Sequence, residues 1–237
     1  MFEVNHVTKR YGRVVANNDI HFRVNDSEIA VLMGPNGAGK STIIKCIAGL
    51  LRFDGEITVC GHPNKSLEAK KLLGYIPEMP AVYDMLTVEE HLEFIARAYR
   101  LTGWQPLAAQ LLERFELEDK KDKLGKELSK GMQQKVSICC AVLHKPRVLI
   151  FDEPMVGLDP HAIKQLKLLF TELKNEGASV LISTHMIDSV EDYWDVAHIM
   201  MNGSFAATKR NRSSNENEKS LEDLFFEITE RKDGAAQ

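Results

Sequence analysis

The chain has 237 residues, of which 44% are hydrophobic and 27% charged, and its formal net charge is −4. That length suits one large α/β domain or two small ones, and the near-average composition excludes collagen-like and wholly disordered chains. With 30 Lys and Arg against 34 Asp and Glu there is no global basic field, so a nucleic-acid partner is not expected.

Ile20, Phe22 and Val24 alternate with polar residues, as in a half-buried strand. Ile29 to Met33 is a continuous apolar run, the pattern of a strand buried on both faces. It ends in a glycine-rich turn, after which Ile43, Ile44, Ile47 and Ala48 recur at helical spacing. An Asp54-Gly55 turn then leads to a predicted strand from Glu56 to Cys60. Residues of about 80–143 read as mostly helical, an insertion into the sheet domain. Thr87 and Glu90 form a capping box ahead of Leu92, Phe94, Ile95 and Ala98, Pro106 suits the first turn of a second helix, and a third runs from near Ser129 through Ile138.

Strand signals return at Val148–Phe151, Val180–Ser183 and Val196–Met201, with a helix between the first two that starts at Asp159-Pro160 and stops at Gly177. Strands alternating with helices predict a mainly parallel sheet covered on both faces. Lys209 to Ser220 reads as an exposed linker, followed by a capping box at Ser220 and Asp223 and a last helix with Leu221, Leu224, Phe225 and Ile228 on one face. That helix is expected to dock on its own domain, with a partner-binding or dimerising helix as the alternative. No stretch reaches the ~18–20 apolar residues of a spanning helix, and Met1 to Val4 lacks a signal-peptide pattern. Cys46, Cys60, Cys139 and Cys140 have no C-x-x-C spacing, so neither a zinc site nor a disulfide framework is expected. A soluble protein of a reducing compartment is the expectation.

Gly34-Pro35-Asn36-Gly37-Ala38-Gly39-Lys40-Ser41 fits the Walker A pattern without a mismatch. Its glycines let backbone N–H groups turn toward a phosphate, and the following helix adds its positive dipole end. Lys40 would reach the β- and γ-phosphates, Ser41 would offer its hydroxyl to Mg²⁺, and Thr42 completes the nucleotide-binding segment. Val148-Leu149-Ile150-Phe151 feeds two carboxylates at the carboxyl end of a core strand. Asp152 would hold Mg²⁺ and Glu153 would polarise the attacking water. His185, also just past a strand, could donate to the γ-phosphate.

With these residues in order, nearly the whole chain resembles the ATP-binding cassette (ABC) family. Leu128-Ser129-Lys130-Gly131-Met132-Gln133 is similar to that family's signature segment, Gly157-Leu158-Asp159 to its D-loop, and His185 to its switch histidine. Tyr11 matches the aromatic residue that stacks on adenine, and Glu78, in Tyr75-Ile76-Pro77-Glu78, stands at the Q-loop in place of the usual glutamine. Lys130 and Met132 replace a glycine and a glutamine of the signature.

The resemblance implies a P-loop ATPase with a RecA-like, mainly parallel sheet core, an N-terminal antiparallel β-subdomain and an inserted helical subdomain. Residues of about 1–79 and 144–208 would form the core, 80–143 the helical subdomain, and 209–237 a linker and helix. It also implies ATP and Mg²⁺ as ligands, with Glu153, His185 and Lys40 catalytic and Ser41, Asp152 and Glu78 at the metal. Two cassettes would pack head to tail, most simply as a homodimer, each placing Ser129, Gly131 and Met132 over the partner's nucleotide. A separate multi-spanning permease would hold the pair at the inner face of the cell membrane. Its coupling helix would enter a groove near Tyr83, Met85 and Leu86. The bacterial exporter branch fits the Tyr-Ile-Pro-Glu, Leu-Ser-Lys-Gly-Met and Ser-Leu-Glu-Asp-Leu-Phe-Phe-Glu segments.

Two alternatives stay open: a soluble non-transport ATPase and an ATP-gated regulator. Against the first, the chain has one Walker A segment, and Lys40 and Ser129 stand only 89 residues apart. Retention of Lys40, Asp152, Glu153 and His185 opposes the second, which Glu78 and Met132 favour.

Overall fold

The computed structural model describes residues 1–187, 190, 193–211 and 219–233. The chain opens with β1 (Phe2–Tyr11) and β2 (Val14–Val24), then β3 (Ile29–Met33), α1 (Lys40–Ile47), β4 (Asp54–Val59) and β5 (His62–Pro63). Next come α2 (Leu67–Leu72), β6 (Leu73–Ile76), α3 (Val88–Tyr99), α4 (Gln105–Arg114) and α5 (Lys130–Leu143). The rest is β7 (Val148–Asp152), α6 (Pro160–Asn175), β8 (Ser179–Thr184), β9 (Val196–Met201), β10 (Ser204–Arg210) and α7 (Leu221–Asp233).

Two sheets divide the strands. One is antiparallel, in the order β2-β1-β4-β5. The other runs β10-β9-β3-β8-β7-β6, parallel except where β10 pairs antiparallel with β9. The continuous apolar runs follow from burial on both faces. Val31 and Met33 join Leu149, Phe151, Val180 and Ile182 in a core beneath α3–α6, whereas Leu32, Val148, Ile150 and Leu181 point into a second core with α1 and the antiparallel sheet. Phe151 and Phe170 of α6 meet edge to face at 4.8 Å. Each such fully buried side chain contributes ~1.5–3 kcal/mol through apolar area removed from water.

Several boundaries differ from the sequence expectation. Asp54 and Gly55 are the first residues of β4 and not a turn, because Gly55, at φ 107°, lies against the carbonyls of Asn5 and His6 in β1. β1, β5, α2, β6 and β10 had no predicted counterparts. Lys209 and Arg210 belong to β10, not to a linker, and residues 212–218 of that proposed linker lie outside the described residues. α5 continues to Leu143, five residues past the predicted Ile138, because Cys139, Ala141, Val142 and Leu143 go on filling the core. The capping boxes behave as expected: Thr87 and Glu90 satisfy each other's backbone N–H groups, as do Ser220 and Asp223. α7 docks by burying Leu221 and Phe225, with Leu224 and Ile228 beside them. No helix of the described residues is long and apolar enough to cross a membrane.

Candidate functional site

Parallel pairing brings four strand ends to one edge. Met33 is level with Thr184, Asp152 with Ser183, and Ile76 with Phe151. The segments that follow β3, β6, β7 and β8 therefore converge, carrying the glycine-rich loop, Glu78, Glu153 and His185. They line a cleft of about 650 Å³ with Asn36 to Thr42, Val14–Ala16, Val156 and the Asn202-Gly203 turn. That volume lies within the ~300–1,000 Å³ of small-molecule sites.

The loop's conformation is set by its glycines and neighbours. Gly39 caps α1 at φ 104°, no side chain caps this helix, and its first turn carries no acid. The leading N–H groups and the dipole's positive end are thus left for an anion. A Cβ on Gly39 would lie 2.6 Å from both the Ala16 carbonyl oxygen and Asn17 Nδ2. Gly39→Ala is expected to destabilise the fold by ~1–3 kcal/mol and to weaken nucleotide binding, read by thermal melts and titration with a fluorescent ATP analogue. Wild-type values in both would refute this account of the loop.

Lys40 is buried, and its Nζ donates to the Gly34 carbonyl at 2.6 Å and the Pro35 carbonyl at 3.4 Å, with Glu153 Oε1 3.5 Å away. Glu153 occupies left-handed backbone at φ 47°. Its N–H is held by the Ser183 carbonyl at 3.2 Å and the Ser183 hydroxyl at 2.9 Å, and its Oε2 lies 2.9 Å from His185 Nδ1. Non-glycine strain of this kind costs ~1–3 kcal/mol and persists only where surroundings over-determine it. One carboxylate therefore touches the histidine and approaches the lysine.

Asp152 Oδ1 accepts from the hydroxyls of Ser183 (2.7 Å) and Ser41 (3.1 Å). Burial pushes its pKa up, those two hydrogen bonds pull it down, and the Glu78 and Glu153 carboxylates push it up again. Glu78, Glu153 and Ser41 line the cleft and Asp152 joins them through its hydrogen bond to Ser41, a hard oxygen donor set that fits a Mg²⁺ ion.

The remaining predicted residues lie elsewhere. Tyr11 ends β1 opposite Val14, half-exposed beneath the Lys9 ammonium at 4.7 Å, and does not line the cleft. Ser129 caps α5, accepting from the Met132 N–H at 3.3 Å; neither these two nor Gly131 lines this chain's cleft. A Cβ on Gly131 would lie 2.5 Å from the Gly157 carbonyl oxygen, and Lys135 pairs with Asp159 at 2.8 Å. The Lys135 ammonium, then the Ala162 N–H, hold the Asp159 carboxyl below its usual pKa. The signature-like and D-loop-like segments are thus packed against each other.

Sequence reasoning missed Ser183 as the partner of both acids, although a serine ending an apolar strand was visible. It also missed Asn17, whose Nδ2 donates to the Gly39 carbonyl at 3.1 Å, and the Asn202-Gly203 turn. Asn-Gly between apolar runs is a strong hairpin signal, and both residues have positive φ; the Gly203 N–H donates to the Ala38 carbonyl at 2.9 Å.

A glycine-rich loop between a central parallel strand and an uncapped helix, beside an acid pair at the end of β7, one strand beyond β8, defines a P-loop nucleotide-binding fold. The chain belongs to the ABC transporter family, whose model matches residues 17–156. It is 36% identical to the ABC-type transporter ATP-binding protein EcsA of Bacillus subtilis, covering 99% of this chain and 98% of that one. It is also 36% identical to the linearmycin resistance ATP-binding protein LnrL of the same species, over 87% of this chain and 68% of the relative. A solved structure of the ATP-binding subunit of an ABC transporter superposes with a TM-score of 0.90 at 37% identity, covering 97% and 99% of the two chains. A dimeric ATP-binding cassette in a post-hydrolysis state bound to ADP and Pi gives 0.81 at 25% identity, covering 90% of this chain and all of that one.

Proposed function

We propose that this chain is the ATP-hydrolysing subunit of an exporter, pairing with a second cassette around two ATP molecules and driving a separate transmembrane permease. The observation that carries the chemistry is the chain of contacts from His185 through Glu153 to Lys40, beside Asp152 and Ser41. Lys40 and the loop's N–H groups bind the β- and γ-phosphates. Asp152, Ser41 and Glu78 hold Mg²⁺, which when bound neutralises phosphate charge. Glu153 orients water and takes its proton, while His185 fixes the carboxylate and donates to the γ-phosphate. Ser129, Gly131 and Met132, outside this chain's own cleft, are free to meet a partner's nucleotide, and Tyr11 supplies an aromatic face for adenine.

A second feature supports the permease. An apolar groove of about 310 Å³ lies between β6 with the segment after it and helices α3 and α5, lined by Tyr75, Pro77, Tyr83, Phe94 and Tyr99 among others. Of its lining Tyr83 and Phe94 are exposed, as are Met79 and Met85 in the segment that follows β6, whereas Leu86 is half-buried and less available for contact. Clustered exposed apolar side chains of this kind mark interaction surfaces.

The test is copurification of tagged Glu153→Gln protein from detergent-solubilised host membranes with ATP, with and without a second change, Phe94→Asp. A stoichiometric multi-spanning protein, lost in the double variant while ATP binding persists, is the expected result. Ribosomal or DNA-associated partners, or a soluble homodimer with nothing else bound, would overturn the exporter role and leave the ATPase standing.

A further inference from the structure

The pairing of β1 with β2 carries three register shifts in succession, of which the first two are opposed. Val4 pairs with Phe22 and Val7 with Ile20, so Asn5 and His6 together face His21 and β1 holds an extra residue there. Val7–Ile20 is followed by Lys9–Asn17, so Thr8 faces both Asn18 and Asp19 and the extra residue is now in β2. His6 and Asp19 both take left-handed backbone, each at φ 51°, and the Asp19 N–H donates to Thr8 Oγ1 at 3.1 Å. His and Asp tolerate this conformation better than most residues. Tolerance alone does not put three ligating side chains on one patch, whereas bulges do re-aim side chains in this way.

His6, Asp19 and His21 each offer one donor atom, and these atoms lie within 4.8 Å of one another. His6 Nδ1 and Asp19 Oδ1 are 2.7 Å apart, and the two imidazole rings are 5.4 Å apart at 30°. Tetrahedral bonds of ~2.0–2.1 Å set donors about 3.3 Å apart, a spacing bracketed by the 2.7 Å and 4.8 Å here. All three side chains are exposed, so small rotations suffice to reach it. Two imidazoles and a carboxylate suit a borderline cation such as Zn²⁺ and are a poor match for Mg²⁺ or Ca²⁺, which prefer all-oxygen sets.

We propose that His6, Asp19 and His21 form a surface site for a divalent transition metal, with Zn²⁺ as its type, water completing the coordination. The bound metal replaces the proton shared by His6 Nδ1 and Asp19 Oδ1; in the neutral ring that proton moves through solvent to Nε2. Because β2 is the sheet's edge strand, the metal clamps it to β1. Two residues from Asp19 the same strand supplies Asn17, bonded to the Gly39 carbonyl, so the clamp steadies a wall of the nucleotide cleft.

Among the described residues one other such group exists, Glu116, Asp159 and His161. There Asp159 is already engaged by Lys135 and by the Ala162 N–H. This makes it the natural comparator.

The experiment is calorimetric titration of the full chain with ZnCl₂ in excess Mg²⁺, with thermal melts alongside. One Zn²⁺ per chain is expected. His21→Ala and His6→Asn, the latter keeping a side chain suited to left-handed backbone, should each weaken binding by at least the ~10–100-fold typical of outer-shell partners. Their metal-free melts should match wild type, since the replaced groups are exposed. Zn²⁺ should raise the melting temperature of wild type and His161→Ala but not of His21→Ala. Absence of saturable binding, wild-type affinity in His21→Ala, or loss in His161→Ala in its place would overturn the assignment.

Discussion

Replacing Glu153 with glutamine is expected to lower ATP turnover by about 10²–10⁴-fold while leaving ATP binding intact, the range lost with a positioned general base. Glutamine is nearly isosteric and still accepts a hydrogen bond from His185, now at 2.9 Å from Glu153 Oε2, but it cannot take a proton. The backbone that positions the side chain stays anchored, because Ser183 holds the N–H of residue 153 through both its carbonyl and its hydroxyl. Phosphate release under steady-state conditions measures the loss, and equilibrium titration with labelled ATP checks retention of binding. Turnover within a few-fold of wild type would assign the base to another group, and Glu78, which lines the same cleft, would be the next to change.

Much of this site was legible because its chemistry is local in sequence. Gly34 to Ser41 is a contiguous segment between a strand and a helix, and Asp152 and Glu153 terminate an apolar run, so spacing alone points to phosphate and metal. What pattern could not give was the cross-chain pairing. Ser183 stands 31 residues from Asp152, and their 2.7 Å hydrogen bond exists only because β7 and β8 are neighbours in register. Asn17 reaches Gly39 from the other sheet, a contact with no trace in either segment's periodicity. The same logic explains the missed elements. β1 has an extra residue that breaks strict alternation, and β6 is only four residues long, too short for a period to show. The end of β10, Lys209 and Arg210, by contrast, reads as linker because an edge strand with one solvated side looks like hydrophilic chain.

Acid is expected to destabilise the fold steeply between pH 6.5 and 4, with His198 as a principal cause. Its ring is stacked on Phe205 at 4.9 Å, lies 5.1 Å from Phe22, and bonds Thr208 Oγ1 through Nδ1 at 2.9 Å. Burial pushes its pKa down to about 4, with Arg210 adding to the effect and Glu28 opposing it. In the unfolded chain the value returns to ~6.5, so between these limits the unfolded state binds more protons and stability rises with pH. The contribution is complete above pH 6.5 and lost as pH falls toward 4, about 3 kcal/mol in all at ~1.36 kcal/mol per pH unit. His144, stacked on Tyr99 at 4.0 Å and also pushed down to about 4 by burial, adds a loss of the same sign. Asp152 works the other way, since burial raises its pKa and protonation in acid relieves the cost of an ionised buried carboxylate. Against a typical total of ~5–15 kcal/mol the histidine losses dominate this window. Urea unfolding at pH 7 and pH 4.5 measures the difference, with His198→Phe as the comparison, because phenylalanine keeps the aromatic cluster and leaves the exposed Thr208 hydroxyl to water. The variant should lose markedly less stability on acidification than wild type. An identical loss in both would mean that the His198 imidazole takes up its proton without leaving the fold, and the aromatic cluster around it would then have to be open to water.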